Sequence, residues 1–375
     1  MKERILRFPK MIAKNFLSHV LLLLVLLIVS CQKEDDIGLE CSLENRTGTE
    51  KIKGASILQT WIIDYQSTDD PEETITSLDL VEKTNSNWVS LSPVISVSVL
   101  NGDIPRRPYL FPVSNEIAKM RVILPKIRNS GLDNVMLKPL TSFWPVDGST
   151  FWGDFYVETE EEWLEIEHAY EHLIYEFAKL SLTYEEIKLL SIGTELAEFA
   201  KRRPLFFENL ILKLRNDFPL LKLTYAANWD EYEMVSFWPS LDYIGVNPYF
   251  PLINEKEPTI NEIEESLMPI KENLSDFSCE YAKPILFTEY GFRSIDYGLW
   301  EAWNLGDITS TNVNFDNQAN AYTAFYNTFW QENWLTGGFF WEWKIVLPQF
   351  VNDPNENGWY VNDKPAQHVI KSWYE

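Results

Sequence analysis

Basic side chains are scarce in this chain. Lysine and arginine number 32 against 56 aspartates and glutamates in 375 residues, a formal net charge of −24. Such a surface repels a phosphate backbone, which excludes nucleic acid as a partner. Glycine and proline are also few, at 15 and 20 positions, and hydrophobic residues make up 45%. That balance excludes a fibrous or disordered chain and requires a globular one. Cysteine occurs only at positions 31, 41 and 279, so no disulfide follows from the sequence alone. No G-x-G-x-x-G or phosphate-binding loop follows any expected strand, and no G-x-S-x-G is present. Dinucleotide enzymes, P-loop enzymes and nucleophile-elbow hydrolases are thereby disfavoured. Aromatic residues, by contrast, are plentiful: 15 Trp, 17 Tyr and 22 Phe. They exceed what a core of this size needs. Some are expected on a binding surface, and the apolar CH faces of sugar rings are natural partners for indole.

Only one long apolar run exists, Val20–Val29, preceded by Lys2, Arg4, Arg7, Lys10 and Lys14. Charge followed by a short apolar stretch is the order of a secretory signal and is too short for a comfortable membrane span. The run ends in Ile28-Val29-Ser30-Cys31, which resembles a bacterial lipobox, with Cys31 as the lipidated residue. Gln32-Lys33-Glu34-Asp35-Asp36 is similar to the acidic surface-export tag of Bacteroidetes lipoproteins. The organisation expected is a signal peptide over 1–30, an acylated tether over 31–50 and a folded domain over 51–375. That predicts an outer-membrane lipoprotein, exposed at the cell surface and held to the membrane by its lipid.

From Lys51 onward, short β-rich apolar runs alternate with longer amphipathic stretches, the pattern of βα units around a parallel sheet. Strands are expected at Ile52–Ile57, Trp88–Val97, Asn134–Leu140, Leu189–Glu195, Lys222–Asn228, Leu241–Tyr249, Pro284–Gly291 and Gly337–Lys344. Helices are expected near Pro71–Thr84, Asn115–Ser130, Glu160–Leu180, Pro204–Asp217, Glu231–Phe237, Thr259–Phe277, Asp316–Asn333 and Pro365–Tyr374. Eight of each over this length predict an α/β fold, a single (β/α)8 TIM barrel with long βα loops. A Rossmann-type sheet is the alternative, without its fingerprint.

Barrel chemistry sits at the carboxyl ends of the strands, where the βα loops form the concave face. Glu195 and Glu289 each follow a run that should be buried, on the fourth and seventh strands. A lone strand-end carboxylate commonly caps a helix or pairs with an arginine. Two, on opposed strands, supply what retaining glycoside hydrolysis needs: a nucleophile and a proton donor about 5–5.5 Å apart.

The strings Gly193-Thr194-Glu195, Tyr243–Tyr249 (Tyr-Ile-Gly-Val-Asn-Pro-Tyr), Lys283–Ser294 (Lys-Pro-Ile-Leu-Phe-Thr-Glu-Tyr-Gly-Phe-Arg-Ser) and Gly338–Lys344 (Gly-Phe-Phe-Trp-Glu-Trp-Lys) resemble those of glycoside hydrolase family 113, in clan A. The resemblance implies a retaining, endo-acting β-1,4-mannanase that needs no cofactor or metal and takes a β-linked polysaccharide or oligosaccharide. It makes Glu195 the acid/base, Glu289 the nucleophile, Tyr249 a hydrogen-bond donor to that nucleophile, and Trp341 the floor under the sugar being cleaved. Trp343, two residues on, is an equal candidate for the platform. Lys138, Asn228 and Arg293 are candidate partners of sugar hydroxyls or carboxylates. Trp152, like Trp144, Trp300, Trp303 and Trp359, lies in a long loop suited to distal subsites. Two departures stand out: Thr194 precedes the acid/base where many clan A enzymes have asparagine, and Leu140 follows Lys138-Pro139 where a histidine is expected. The same chemistry on another β-linked hexose polymer, and a non-catalytic surface glycan-binding lipoprotein, are the competing readings. A monomer is expected.

Two further signals are rejected. His168 and His172 are four apart on a helix, but without H-E-x-x-H or a third ligand they read as a solvated face. Asp353–Gly358 imitates the start of a calcium loop, yet position twelve is Lys364 rather than glutamate.

Overall fold

The computed structural model describes residues 50–58, 80–99, 109–110, 113–145, 151–303, 312–344 and 357–375. The expected signal peptide, Cys31, Cys41 and most of the tether lie outside these residues, as do 71–79 of the first expected helix and 353–356 of the calcium-like loop.

Eight parallel strands close into a barrel: β1 (Ile52–Leu58), β2 (Trp88–Ser92), β5 (Val135–Leu137), β7 (Ile187–Thr194), β8 (Lys222–Asn228), β9 (Ile244–Asn247), β10 (Ile285–Tyr290) and β11 (Leu335–Phe340). Around the closed sheet the order is β1-β11-β10-β9-β8-β7-β5-β2, so each strand neighbours its successor in the barrel and β11 returns to β1. The (β/α)8 expectation is met. Because helices cover the outside and side chains fill the inside, barrel strands are buried on both faces. All of β10 is buried and only Lys188 of β7 is exposed, which is why these segments read as continuous apolar runs rather than alternating ones.

The outer helices are α1 (Leu80–Thr84), α2 (Val113–Asn129), α3 (Glu160–Lys179), α4 (Ala197–Arg202), α5 (Pro204–Asp217), α6 (Ile260–Tyr281), α7 (Phe315–Phe329) and α8 (Pro365–Trp373). Thr159 with Glu162, and Thr259 with Glu262, form capping boxes that satisfy the first amides of α3 and α6. After α8, the Tyr374 hydroxyl donates to Gly54 O at 2.9 Å and lies 2.8 Å from that of Tyr290. This ties the end of the chain to β1 and β10.

The second and third strands are shorter than the sequence suggests. Pro93 has no amide for the ladder, and the chain leaves the barrel there. Val94–Val99 becomes β3 of a side sheet, parallel to β6 (Leu140–Pro145) and antiparallel to β4 (Tyr109–Leu110). Lys138-Pro139 makes the same break between β5 and β6. The segment expected as a helix over Glu231–Phe237 holds a single 3-10 turn instead, Tyr232–Met234, and a second, Trp238–Ser240, follows it. Its seven residues are barely two helical turns, too short to persist when Glu231 is engaged elsewhere. Cys279, near the end of α6, is disulfide-bonded. Among the described residues no helix is long and apolar enough to cross a membrane.

Candidate active site

Glu289 is the fifth residue of β10 and is 7% exposed. Both of its carboxylate oxygens are engaged. Oε1 pairs with the ammonium of Lys138, itself fully buried just past the end of β5. Oε2 accepts from the Tyr249 hydroxyl at 3.1 Å. A buried carboxylate is tolerated only when paired and hydrogen-bonded, and these two partners from the third and sixth strands meet that requirement. Lys138 also stands 5.3 Å from the Trp341 ring centroid, so the half-buried indole lies beside the ion pair. The Trp341 N–H donates to Tyr290 O at 2.6 Å, and its peptide with Glu342 is cis. A Cβ at Gly291 would stand 2.2 Å from Trp341 O; only glycine lets the two strand ends approach this closely.

Glu195 immediately follows β7 and is 9% exposed. Its Oε1 accepts from Asn247 Nδ2 at 2.9 Å. Asn247 ends β9, and its own Oδ1 accepts from the Thr288 hydroxyl at 2.7 Å; that bond fixes the amide so that its nitrogen faces Glu195. Two hydrogen bonds therefore connect β10, which carries Glu289, to the carboxyl of Glu195. Burial pushes Glu195 up to about 8; the Glu289 charge adds to this, the Asn247 bond opposes it, Glu231 adds, and Lys138 opposes. Glu195 thus holds its proton at neutral pH while Glu289 faces a cation and a phenol. Two buried carboxyl groups that feel each other's charge, with environments this different, are the arrangement of an acid and a nucleophile.

The short turn Trp152–Asp154 packs on this site: a Cβ at Gly153 would lie 2.8 Å from Glu195 O. Trp152, the first residue of this turn, is half-buried against Phe151.

The remaining candidates have partners within the protein. Trp343 is 1% exposed and belongs to the main core, with the Lys83 ammonium 5.9 Å from its ring centroid. β11 stops at Phe340, so the two-residue alternation that would align Trp343 with Trp341 does not extend to it. Asn228 serves its own loop: its Oδ1 accepts from the Trp229 N–H at 2.8 Å, and its N–H donates to Glu231 at 2.9 Å. Arg293 is 4% exposed, donates through Nε to Asn357 O at 3.3 Å and lies 5.4 Å from the Trp359 ring centroid; it braces the segment before α8. Trp359 itself donates to Ala302 O at 2.8 Å. Trp300 and Trp303 are each 42% exposed, Trp303 stacked on Trp229 with centroids 5.4 Å apart. The Trp144 side chain lies outside the described residues.

Asn247 and Thr288 were not separable from the core in sequence, since their task depends on the β9–β10 register. Glu342 was also missed as a third carboxyl of the site: burial, then the Glu289 charge, raise it to about 7. His168 and His172 are exposed, and no group of metal-binding side chains occurs among the described residues.

The family model for glycoside hydrolase family 113 matches residues 61–364. The chain belongs to this family. As a family 113 protein it is a glycoside hydrolase, and its barrel resembles those of solved relatives. A family 113 β-mannanase, AaManA from Alicyclobacillus acidocaldarius, solved with ManMIm, superposes with a TM-score of 0.67 at 21% identity, over 86% of this chain and 97% of that one. A family 113 β-1,4-mannanase solved as a complex gives 0.65 at 22% identity, over 87% and 99%. A β-glucuronidase of Faecalibacterium prausnitzii gives 0.58 at 15%, over 86% of this chain but 48% of the other. The barrel alone therefore does not choose the sugar. No curated protein matches the chain.

Proposed function

We propose that this family 113 protein is a retaining, endo-acting β-1,4-mannanase that cleaves mannan or glucomannan by double displacement. One observation carries the mechanism: Glu289 is gripped by Lys138 and Tyr249 while Glu195 is buried and held by Asn247. In the first step an oxygen of Glu289 attacks the anomeric carbon, and the glycosidic C–O bond breaks as Glu195 gives its proton to the departing oxygen. In the second, Glu195, now a carboxylate, takes a proton from water, whose oxygen displaces Glu289 from the same carbon. Two inversions return the β configuration. Asn247 occupies Oε1 of Glu195, which leaves Oε2 for the transferred proton. Trp341, beside the ion pair, is the floor for the sugar at the reacting position.

The choice of mannan is supported by the names of the two family 113 relatives. Digestion of mannan, glucomannan, xylan and β-glucan, followed by product analysis on defined manno-oligosaccharides, tests it; cleavage of internal mannosidic bonds is expected. Turnover confined to another β-linked hexose polymer would keep the mechanism and change the substrate. A purely glycan-binding role is disfavoured because both carboxyls and the groups that hold them are present.

We also propose that the chain is exported and anchored through Cys31, as an outer-membrane lipoprotein exposed at the cell surface. The charge-then-apolar leader and lipobox-like sequence support this, as does a disulfide at Cys279, since such bonds persist in oxidising compartments.

A further inference from the structure

Glu195 has φ +53°, in the left-handed region that residues with a Cβ adopt only when their surroundings hold them there. Both peptide N–H groups beside it are tied to β8. Its own N–H donates to Ala226 O at 2.8 Å. The next, on Leu196, donates to the Tyr225 hydroxyl, also at 2.8 Å. A phenol oxygen can donate and accept at once. Here the Tyr225 hydroxyl gives its hydrogen to Glu231 Oε1, which turns its lone pairs toward Leu196. Glu231 is 1% exposed, and its second oxygen accepts from the Asn228 N–H at 2.9 Å. The tyrosine ring is fully buried between Phe207, Phe237 and Trp238, which leaves its hydroxyl no other aim.

A buried glutamate and tyrosine are costly, and apolar residues of similar volume would pack the same space without desolvating a carboxyl. Both groups are shut away from solvent, and the double displacement uses neither. What they do is fix the peptide that follows the acid. We propose that Tyr225 and Glu231 are positioning residues that aim the carboxyl of Glu195 at the leaving oxygen through the Leu196 N–H. The inference rests on Glu195 as acid/base but not on mannan as the substrate.

The test exploits the leaving group. Tyr225→Phe keeps the ring and removes only the hydroxyl. Glu231→Gln is the second variant, because it replaces one of the two accepting carboxylate oxygens with an NH2 donor. Each is compared with wild type on the polysaccharide that wild type degrades and on the dinitrophenyl β-glycoside of its repeating sugar, with Tm measured in parallel. A misaimed acid lowers kcat on the polysaccharide by about 10–100-fold with KM unchanged, part of the 10²–10⁴-fold that general acid help provides. Formation of the glycosyl-enzyme from the activated glycoside, which needs no acid, stays close to wild type. Equal losses on both substrates, or full activity of both variants on the polysaccharide, would overturn the proposal. Wild type inactive on every polymer would instead refute the functional reading, and the relay with it.

Discussion

Glu195 and Glu289 carry the same functional group and differ only in their neighbours, which is enough to separate their tasks. Loss of the acid should be tolerated when the leaving group needs no proton. Glu195→Ala is expected to lose most activity on polysaccharide, about 10²–10⁴-fold, yet still form the glycosyl-enzyme from a dinitrophenyl glycoside; added azide should speed its turnover. Glu289→Ala lacks the nucleophile, so a better leaving group should restore little. Steady-state rates on both substrates, with and without azide, check this, and identical behaviour of the two variants would reverse or remove the assignment.

The raised Glu195 has a pH signature. Its proton is required for the first step, so kcat/KM should fall as pH rises through about 8. The native state also binds this proton more tightly than the unfolded chain, whose glutamates titrate near 4.3. Stability contributed by this residue is therefore complete at low pH and is lost as pH rises from there toward 8. Glu195→Gln, neutral throughout, should match wild type in Tm near pH 4 and exceed it by a few degrees at pH 9. A Tm difference that does not grow with pH would contradict the buried, protonated acid. At this scale the sequence was legible where a residue was expensive: a carboxylate after Leu-Leu-Ser-Ile-Gly-Thr or Ile-Leu-Phe-Thr has few uses. Tyr225 and Asn247 were not legible, because a tyrosine or asparagine within a strand takes its role from the neighbouring strand.

Among elements, the strand ends matter more than the strands. β10 and β11 approach closely at Gly291, where an added methyl would meet the Trp341 carbonyl at 2.2 Å. Gly291→Ala should therefore shift the backbone under the sugar platform, lowering kcat/KM by about tenfold or more and costing about 1–3 kcal/mol of stability; Tm and rate together test it, and an unaltered enzyme would refute the packing argument. The run of eight βα units was readable because buried parallel strands are uniformly apolar. Where strands stop was not. Pro93 and Pro139 end β2 and β5 early and start a side sheet, since proline interrupts a ladder that the apolar pattern continues across. Trp341 and Trp343 both lie past Phe340, the end of β11, so strand alternation does not decide which way either ring faces. Arg293, a candidate ligand for sugar, also braces the segment at Asn357, whose place the sequence does not reveal.

For the whole molecule, the net charge of −24 and the apolar leader bear on where it works rather than on the barrel chemistry. If Cys31 is the lipid attachment site, wild type should partition into membranes, whereas Cys31→Ala should be soluble and equally active; an unchanged membrane fraction would remove the anchor. The central claim, that the barrel runs a double displacement between Glu195 and Glu289, is tested most directly by the configuration of the first product. Proton NMR of a fresh digest, recorded before mutarotation, should show the β anomer appearing first and the α anomer growing in only as it equilibrates. Initial α product would mean a single inverting displacement and would contradict the role given to Glu289.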